Sequence, residues 1–323
     1  MTTGVDPGAR GRASHRGHEV IPDEHLSTAI QLVYELMHGS RLYQGGIEWC
    51  VGIFVTPGGA PETVVTSNEG ASYVPAGVFL PRSASLLFAD PLADDSFRET
   101  WFGHANPVAT MVAYAELRRR EDGTLPLYAL AAGAWFTDTT SLAPAEEAGV
   151  QHVHLCHPNL SPFKGSNRGD QVLDTAHMHR LELVDRPLLR WLGERAGSMG
   201  ELVERCGRLT TAAYEAVSSR LGDSGLMVPD IGAGIYNRLE YSGGDITDAQ
   251  WTELVAAINA AQSDSGAARP SNEASPLAAA MYRPRHDLAR LLELLYWWKP
   301  QGEERSILFM EIAYAARQLV DSE

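Results

Sequence analysis

The sequence predicts an α+β fold in two parts: a mixed sheet with flanking helices over residues 22–185, and an all-α part over residues 186–323. Two observations carry this. Short β-rich runs bounded by Gly and Pro alternate with helical patterns up to Asp185, whereas from Arg186 onward long apolar periodicities of helical spacing dominate. A chain of 323 residues has enough material for a sizeable core in each part. Residues 1–21 are polar, Gly-rich and basic (Arg10, Arg12, Arg16), with no apolar stretch after the charges. They read as a disordered tail and not as a secretory signal.

The elements follow in order. Leu26, Ala29, Ile30, Leu32, Val33, Leu36 and Met37 repeat at helical spacing, and Gly39 marks a stop. Gly46 to Thr56 and Thr63 to Ser67 are β-rich, and Pro57-Gly58-Gly59 between them suggests a hairpin. Val78 to Leu80 and Ala84 to Phe88 read as two further short strands. The best helix of this part is Asn106 to Arg120, with Pro107 at its first position and basic residues in its last turn. Leu125 to Phe136, Val150 to Cys156 and His177 to Val184 read as strands, the last two separated by a long polar loop. The acidic pairs Asp94-Asp95 and Glu146-Glu147 read as loop residues.

In the second part, helices are predicted over Pro187–Ala196, Gly200–Leu221, Asp248–Ala261 after the cap Thr247, Arg285–Trp298 and Glu303–Val320. Gln262 to Ser275, rich in Ser, Gly, Ala, Asn and Pro, reads as a flexible loop.

Charge and composition exclude several function classes. The net charge of −15, with 26 Lys and Arg against 41 Asp and Glu, argues against nucleic acid as a partner. No stretch approaches the roughly 18–20 apolar residues that membrane insertion needs. Cys50, Cys156 and Cys206 are sparse, odd in number and widely spaced, which fits a reducing compartment, the cytoplasm. There is no Gly-rich phosphate loop, since Gly232-x-Gly234 lacks a third glycine and a preceding strand, and no Gly-x-Ser-x-Gly elbow.

The densest candidate chemistry is the run Gln151 to Asn159 followed by His177 and His179. On a strand, period two places His152, His154 and Cys156 on one face, and His177 and His179 on one face of a following strand. If the two strands paired, these groups and His157 would converge into a ligand set suited to zinc. The competing reading is a half-buried sheet face that happens to carry histidines. The apolar helix ending Tyr296-Trp297-Trp298 cannot turn three adjacent aromatics to one side. Trp297 and Trp298 are therefore candidates for a partner-binding surface. Thr66 to Gly70 reads as a polar turn or a binding loop.

Two resemblances are carried by particular residues. The order helix, hairpin, helix, strand over residues 25–136, with His104-Ala105-Asn106 opening the second helix, resembles the cytidine-deaminase-like scaffold. That family has a His-Ala-Glu triplet and a Cys-x-x-Cys pair, whereas here Asn106 replaces the carboxylate and no Cys-x-x-Cys exists. The resemblance thus implies an inactive scaffold. Val51 to Arg82 together with Trp101 to Leu117 resemble an actinobacterial two-domain family found near type VII (ESX) secretion loci of mycobacteria and relatives.

The second resemblance implies a non-enzymatic cytosolic accessory or substrate-handling protein. It would act through protein–protein contacts with secretion components or substrates, without a cofactor. The alternatives are a metal-dependent enzyme or metal-binding module on the histidine cluster, with possible zinc, and a secreted type VII substrate. Two Tyr-x-x-x-acid matches, Tyr236 to Glu240 and Tyr241 to Asp245, lie mid-chain and are expected by chance.

Overall fold

A computed structural model describes residues 23–55, 60–122, 127–135, 140–156, 173–241, 245–300 and 305–320. The tail 1–21, the Pro57-Gly58-Gly59 turn, His157 and most of the polar loop after it lie outside these residues.

Helix α1 (Glu24–Gly39) begins at Asp23, whose carboxylate accepts from the Leu26 amide, and buries the apolar stripe read from the sequence. Strands β1 (Glu48–Val55) and β2 (Pro61–Ser67) form the expected antiparallel pair, with Trp49 opposite Ser67 and Val55 opposite Pro61. Next come β3 (Leu80–Pro81), β4 (Ala84–Leu86), α2 (Asp95–Trp101), α3 (Pro107–Asp122), β5 (Leu127–Ala134), α4 (Ala143–Glu147) and β6 (Gln151–Cys156). The sheet order is β4-β2-β1-β5-β6. Strand β5 runs antiparallel to β1, while β6 is parallel to β5 and β4 parallel to β2, so the sheet is mixed, as expected.

Alternation along β1 divides its neighbours. Trp49, Val51 and Ile53 join the core that holds α1, and Cys50 and Phe54 join Val108, Met111 and Tyr114 of α3 on the opposite face. Burial pushes the Cys50 thiol well up, as suits an inert core residue.

Several local expectations are corrected. His177 to Val184 is not one strand. Only β7 (His177–Met178) is extended, paired with β3 in a separate two-stranded sheet, and α5 (Arg180–Val184) follows at once. His179 is the N-cap of α5: its ring Nδ1 accepts from the Leu181 amide at 3.1 Å. Asp94 likewise caps α2, and Glu146 and Glu147 end α4, so neither acidic pair is a loop.

The remaining elements are α6 (Arg186–Glu194), α7 (Met199–Ser224), α8 (Asp230–Tyr241), α9 (Asp248–Ala267), α10 (Pro276–Tyr296) and α11 (Arg305–Val320). A capping box of Thr247 and Gln250 opens α9. This helix runs six residues into the segment read as a flexible loop, because Gln262 and Ser265 continue its buried face beyond Ile258, and residues 268–275 are irregular as expected. The residues after it are held too: Pro270 and Asn272 carbonyls accept from the Ala105 amide and pair with His104 Nε2. Helix α10 starts nine residues earlier than expected, at Pro276 behind the cap Ser275, and continues through Pro284. Burial of Ala279 and Tyr282 on the near side of that proline favours continuation. Helix α8 is unexpected, and Gly232 within it leaves room for Leu292 of α10, which a Cβ would meet at 2.8 Å.

The boundary expected at residues 185–186 falls between α5 and α6. One core cluster nevertheless crosses it, from Leu26 and Trp49 through Leu188 and Val217 to Leu291 and Ile312.

Candidate functional site

Where the sheet-bearing part meets α9, α10 and α11, the interior is charged. Arg180 is fully buried: its Nε donates to Glu311 at 2.5 Å, one Nη to Glu293 at 3.0 Å, and the other to the Tyr73 hydroxyl and the Val74 carbonyl. Its guanidinium also lies 4.3 Å from the Tyr314 ring centre. Arg290 sits 3.8 Å over the Tyr73 ring, donates to the Tyr43 hydroxyl at 2.9 Å and is 3.0 Å from Glu293. The Tyr73 hydroxyl donates to both Glu293 oxygens, at 2.7 and 2.5 Å. Glu311 also faces His179 Nε2 at 3.4 Å.

Burial alone would raise Glu293. The Arg290 and Arg180 guanidiniums outweigh it and hold this carboxyl below the ordinary range. The same opposition, with Arg180 and His179 as partners, lowers Glu311.

A second buried cluster sits beside the first. Glu69, in the Thr66–Gly70 segment, pairs with Arg269, which also donates to the Gly46 carbonyl. Against the penalty of burial, Arg269, Arg290 and His286 bring Glu69 down to about 2. The segment is therefore neither a solvated turn nor a free loop, since Thr66 through Gly70 are all buried. Gly70 and Gly103 have positive φ, 55° and 66°, and an added Cβ would strike His286 and Tyr282 respectively. The Gly103 amide donates to the Gly70 carbonyl at 2.8 Å. Gly70 and Gly103 thus pack directly against α10.

Next to the Arg290–Glu293 group lies a cleft of about 600 Å³ between the α1–β1 connection, the Pro75–Gly77 turn, α9 and α10. Tyr43, Tyr73 and Glu293 form its inner wall, and Tyr296 and Trp297 line it from α10. Trp298 points elsewhere, donating to Thr210 at 3.0 Å and meeting the Phe309 ring edge-on.

The histidines do not converge as pairing of their strands would require, because β6 pairs with β5 and β7 with β3. His152 Nδ1 meets the Val150 carbonyl at 2.8 Å, and its Nε2 is 3.8 Å from Glu146. His154 lies on the same strand, half-buried. His177 Nδ1 is 2.8 Å from Asp174, and His179 is held in the junction. The backbone of Cys156 ends β6, and His157 lies outside the described residues. Among the described residues, no three His, Cys, Asp or Glu side chains are arranged to hold a metal ion. His104, the first residue of the triplet compared with the deaminase-like scaffold, pairs through Nε2 with the Asn272 carbonyl at 3.0 Å.

Sequence reading missed Tyr43, Tyr73, Arg180, Arg290 and Glu293. One signal was present for two of them. Arg290 and Glu293 interrupt Leu288-Ala289-Arg290-Leu291-Leu292-Glu293-Leu294-Leu295, where apolar residues surround them on every side of the helix.

Comparison with known proteins identifies the class to which the sheet-bearing part is similar. Residues 39–195, a little under half of the chain, match the family described as the EspK C-terminal domain. That similarity links the chain to the ESX secretion-associated EspK family. No curated protein matches. No helix among the described residues is long and apolar enough to cross a membrane.

Proposed function

We propose that the chain is a non-enzymatic accessory or substrate-handling protein of a type VII (ESX) secretion system, located in the cytoplasm and working through protein–protein contacts. The observation that carries this reading is the EspK C-terminal domain match over residues 39–195. The electrostatics of the junction support it. Glu69, Glu293 and Glu311 are ionised and neutralised by guanidinium partners, too weakly basic to take a proton near neutral pH. Their chemistry is that of a structural joint. Of the two tryptophans expected at a partner surface, Trp297 lines the cleft and is the better placed.

The test is deletion of the gene in its native host, with quantitative comparison of secreted proteins and crosslinked capture on the full chain. The expected result is a fall of at least one ESX substrate in the culture filtrate, restored by complementation, and recovery of a secretion component by capture. An unchanged secretome with no secretion component captured overturns the reading.

A further inference from the structure

The cleft beside Tyr43 has the features of a peptide seat. Its α9 wall is a single stripe: Val255, Asn259 and Gln262, four and three residues apart, share one face of the helix. From Val255 to Gln262 the helix rises about 10 Å, the length of about three residues of extended chain. This wall mixes apolar and amide side chains, with Ile258 beside the stripe. Val255 is apolar and 37% exposed, while Asn259 and Gln262 carry amides.

Gln262 is only 8% exposed. Its carbonyl oxygen accepts from the Gln44 amide at 3.3 Å, which leaves its N–H groups as donors. Across the cleft Tyr43 contributes its ring, while its hydroxyl is turned inward and accepts from the fully buried Arg290. The facing walls are aromatic, from Tyr43, Tyr73, Tyr296 and Trp297. At the mouth Leu42 stands 78% exposed, an apolar side chain that an occupant would cover.

Charge selects among occupants. The carboxylate on the inner wall, Glu293, is already matched by Arg180 and Arg290 and accepts from Tyr73, so it demands no counter-ion, and the other charged lining residue, Arg41, donates to the His38 carbonyl at 2.9 Å. A charged anchor pushed against that wall would lose its hydration without gaining a partner. Backbone carbonyls suit the side-chain amides of Asn259 and Gln262, and a large apolar side chain suits the aromatic walls and the 600 Å³ volume.

We propose that this cleft binds an extended peptide segment of a partner protein, anchored by one large uncharged apolar or aromatic side chain. Its backbone carbonyls accept from Gln262 and Asn259. The inference rests on the protein–protein reading above and names the site and the partner chemistry that reading leaves open.

The test is selection of a displayed random linear heptapeptide library on the full chain. A parallel selection uses the Val255→Arg/Asn259→Arg variant, whose altered side chains are at the surface and whose thermal unfolding midpoint should coincide with wild type. The expected result is enrichment of peptides sharing one large apolar position. The synthesised consensus should bind the variant at least tenfold more weakly by fluorescence polarisation. No enrichment, enrichment that survives the double substitution, or a consensus with a charged anchor overturns the proposal.

Failure here is separable from failure of the secretion reading. If the variant captures the same secretion components as wild type and no peptide is enriched, the secretion reading stands and the cleft proposal falls. If peptides are enriched but the gene deletion leaves secretion unchanged and no component is captured, the reverse holds.

Discussion

Arg180 and Glu293 lie 113 residues apart in the chain, and their side chains meet 3.0 Å apart with both buried. One residue comes from the short helix after the sheet and the other from the last turn of α10 in the second part. Their contact, with Glu311 on the other side of the guanidinium, makes the junction between the two parts an ionic joint inside an apolar core.

Removing the shared cation leaves two buried carboxylates without their partner. Arg180→Met should therefore destabilise the fold by about 3–5 kcal/mol, read as a shift of the urea midpoint. Adding Glu293→Gln and Glu311→Gln should recover a large part of that loss. If the single variant unfolds at the wild-type midpoint, the joint contributes nothing to stability.

The depressed carboxyls fix the acid limb of stability. A carboxyl whose folded value lies below its unfolded value stabilises the protein above the unfolded value, about 4.5, and loses that contribution as pH falls toward the folded value. For Glu69 the folded value is about 2, and Glu293 and Glu311 are lowered in the same direction. Stability should thus decline steadily from about pH 4.5 downward. Glu69→Gln should lower stability at neutral pH, by leaving Arg269 unpaired, and flatten the decline. A urea midpoint independent of pH between 5 and about 2 would contradict this.

Two glycines with similar backbone angles separate strain from packing. Gly103 and Gly149 have φ of 66° and 68°, but only at Gly103 does a Cβ collide, with the Tyr282 ring. Gly149→Ala should cost about 1 kcal/mol from backbone strain alone. Gly103→Ala should cost clearly more, because Tyr282 is fully buried and has little room to move. Thermal unfolding of both variants orders them, and equal losses would show that Tyr282 yields freely.

The segment similar to the EspK C-terminal domain should not fold by itself from this chain. A fragment of residues 39–195 keeps Arg180 and Glu69 but loses Glu293, Glu311 and Arg269, and it loses α1, which covers one face of β1 and β5. Circular dichroism and urea unfolding should show no cooperative transition for the fragment, against a clear one for the full chain. A cooperative fragment would mean the sheet core carries the fold alone.

The sequence by itself determined what local chemistry can specify. The stripe of α1, the hairpin of β1 and β2, the proline at the head of α3, the cap Thr247 of α9 and the mixed α+β class were all legible, because each depends on residues within a few positions of one another. Only the tertiary structure decided the rest. His177 and His179 looked like one face of a strand until β7 paired with β3 and Arg180 was drawn into the junction by partners more than a hundred residues away. Gln262 to Ala267 looked like the start of a loop because Ser and Gly favour loops locally. Burial of Gln262 and Ser265 against the first part overrode that preference. A buried charge is stable only where its counter-charge arrives, and that arrival is a property of the folded chain, not of any window of sequence.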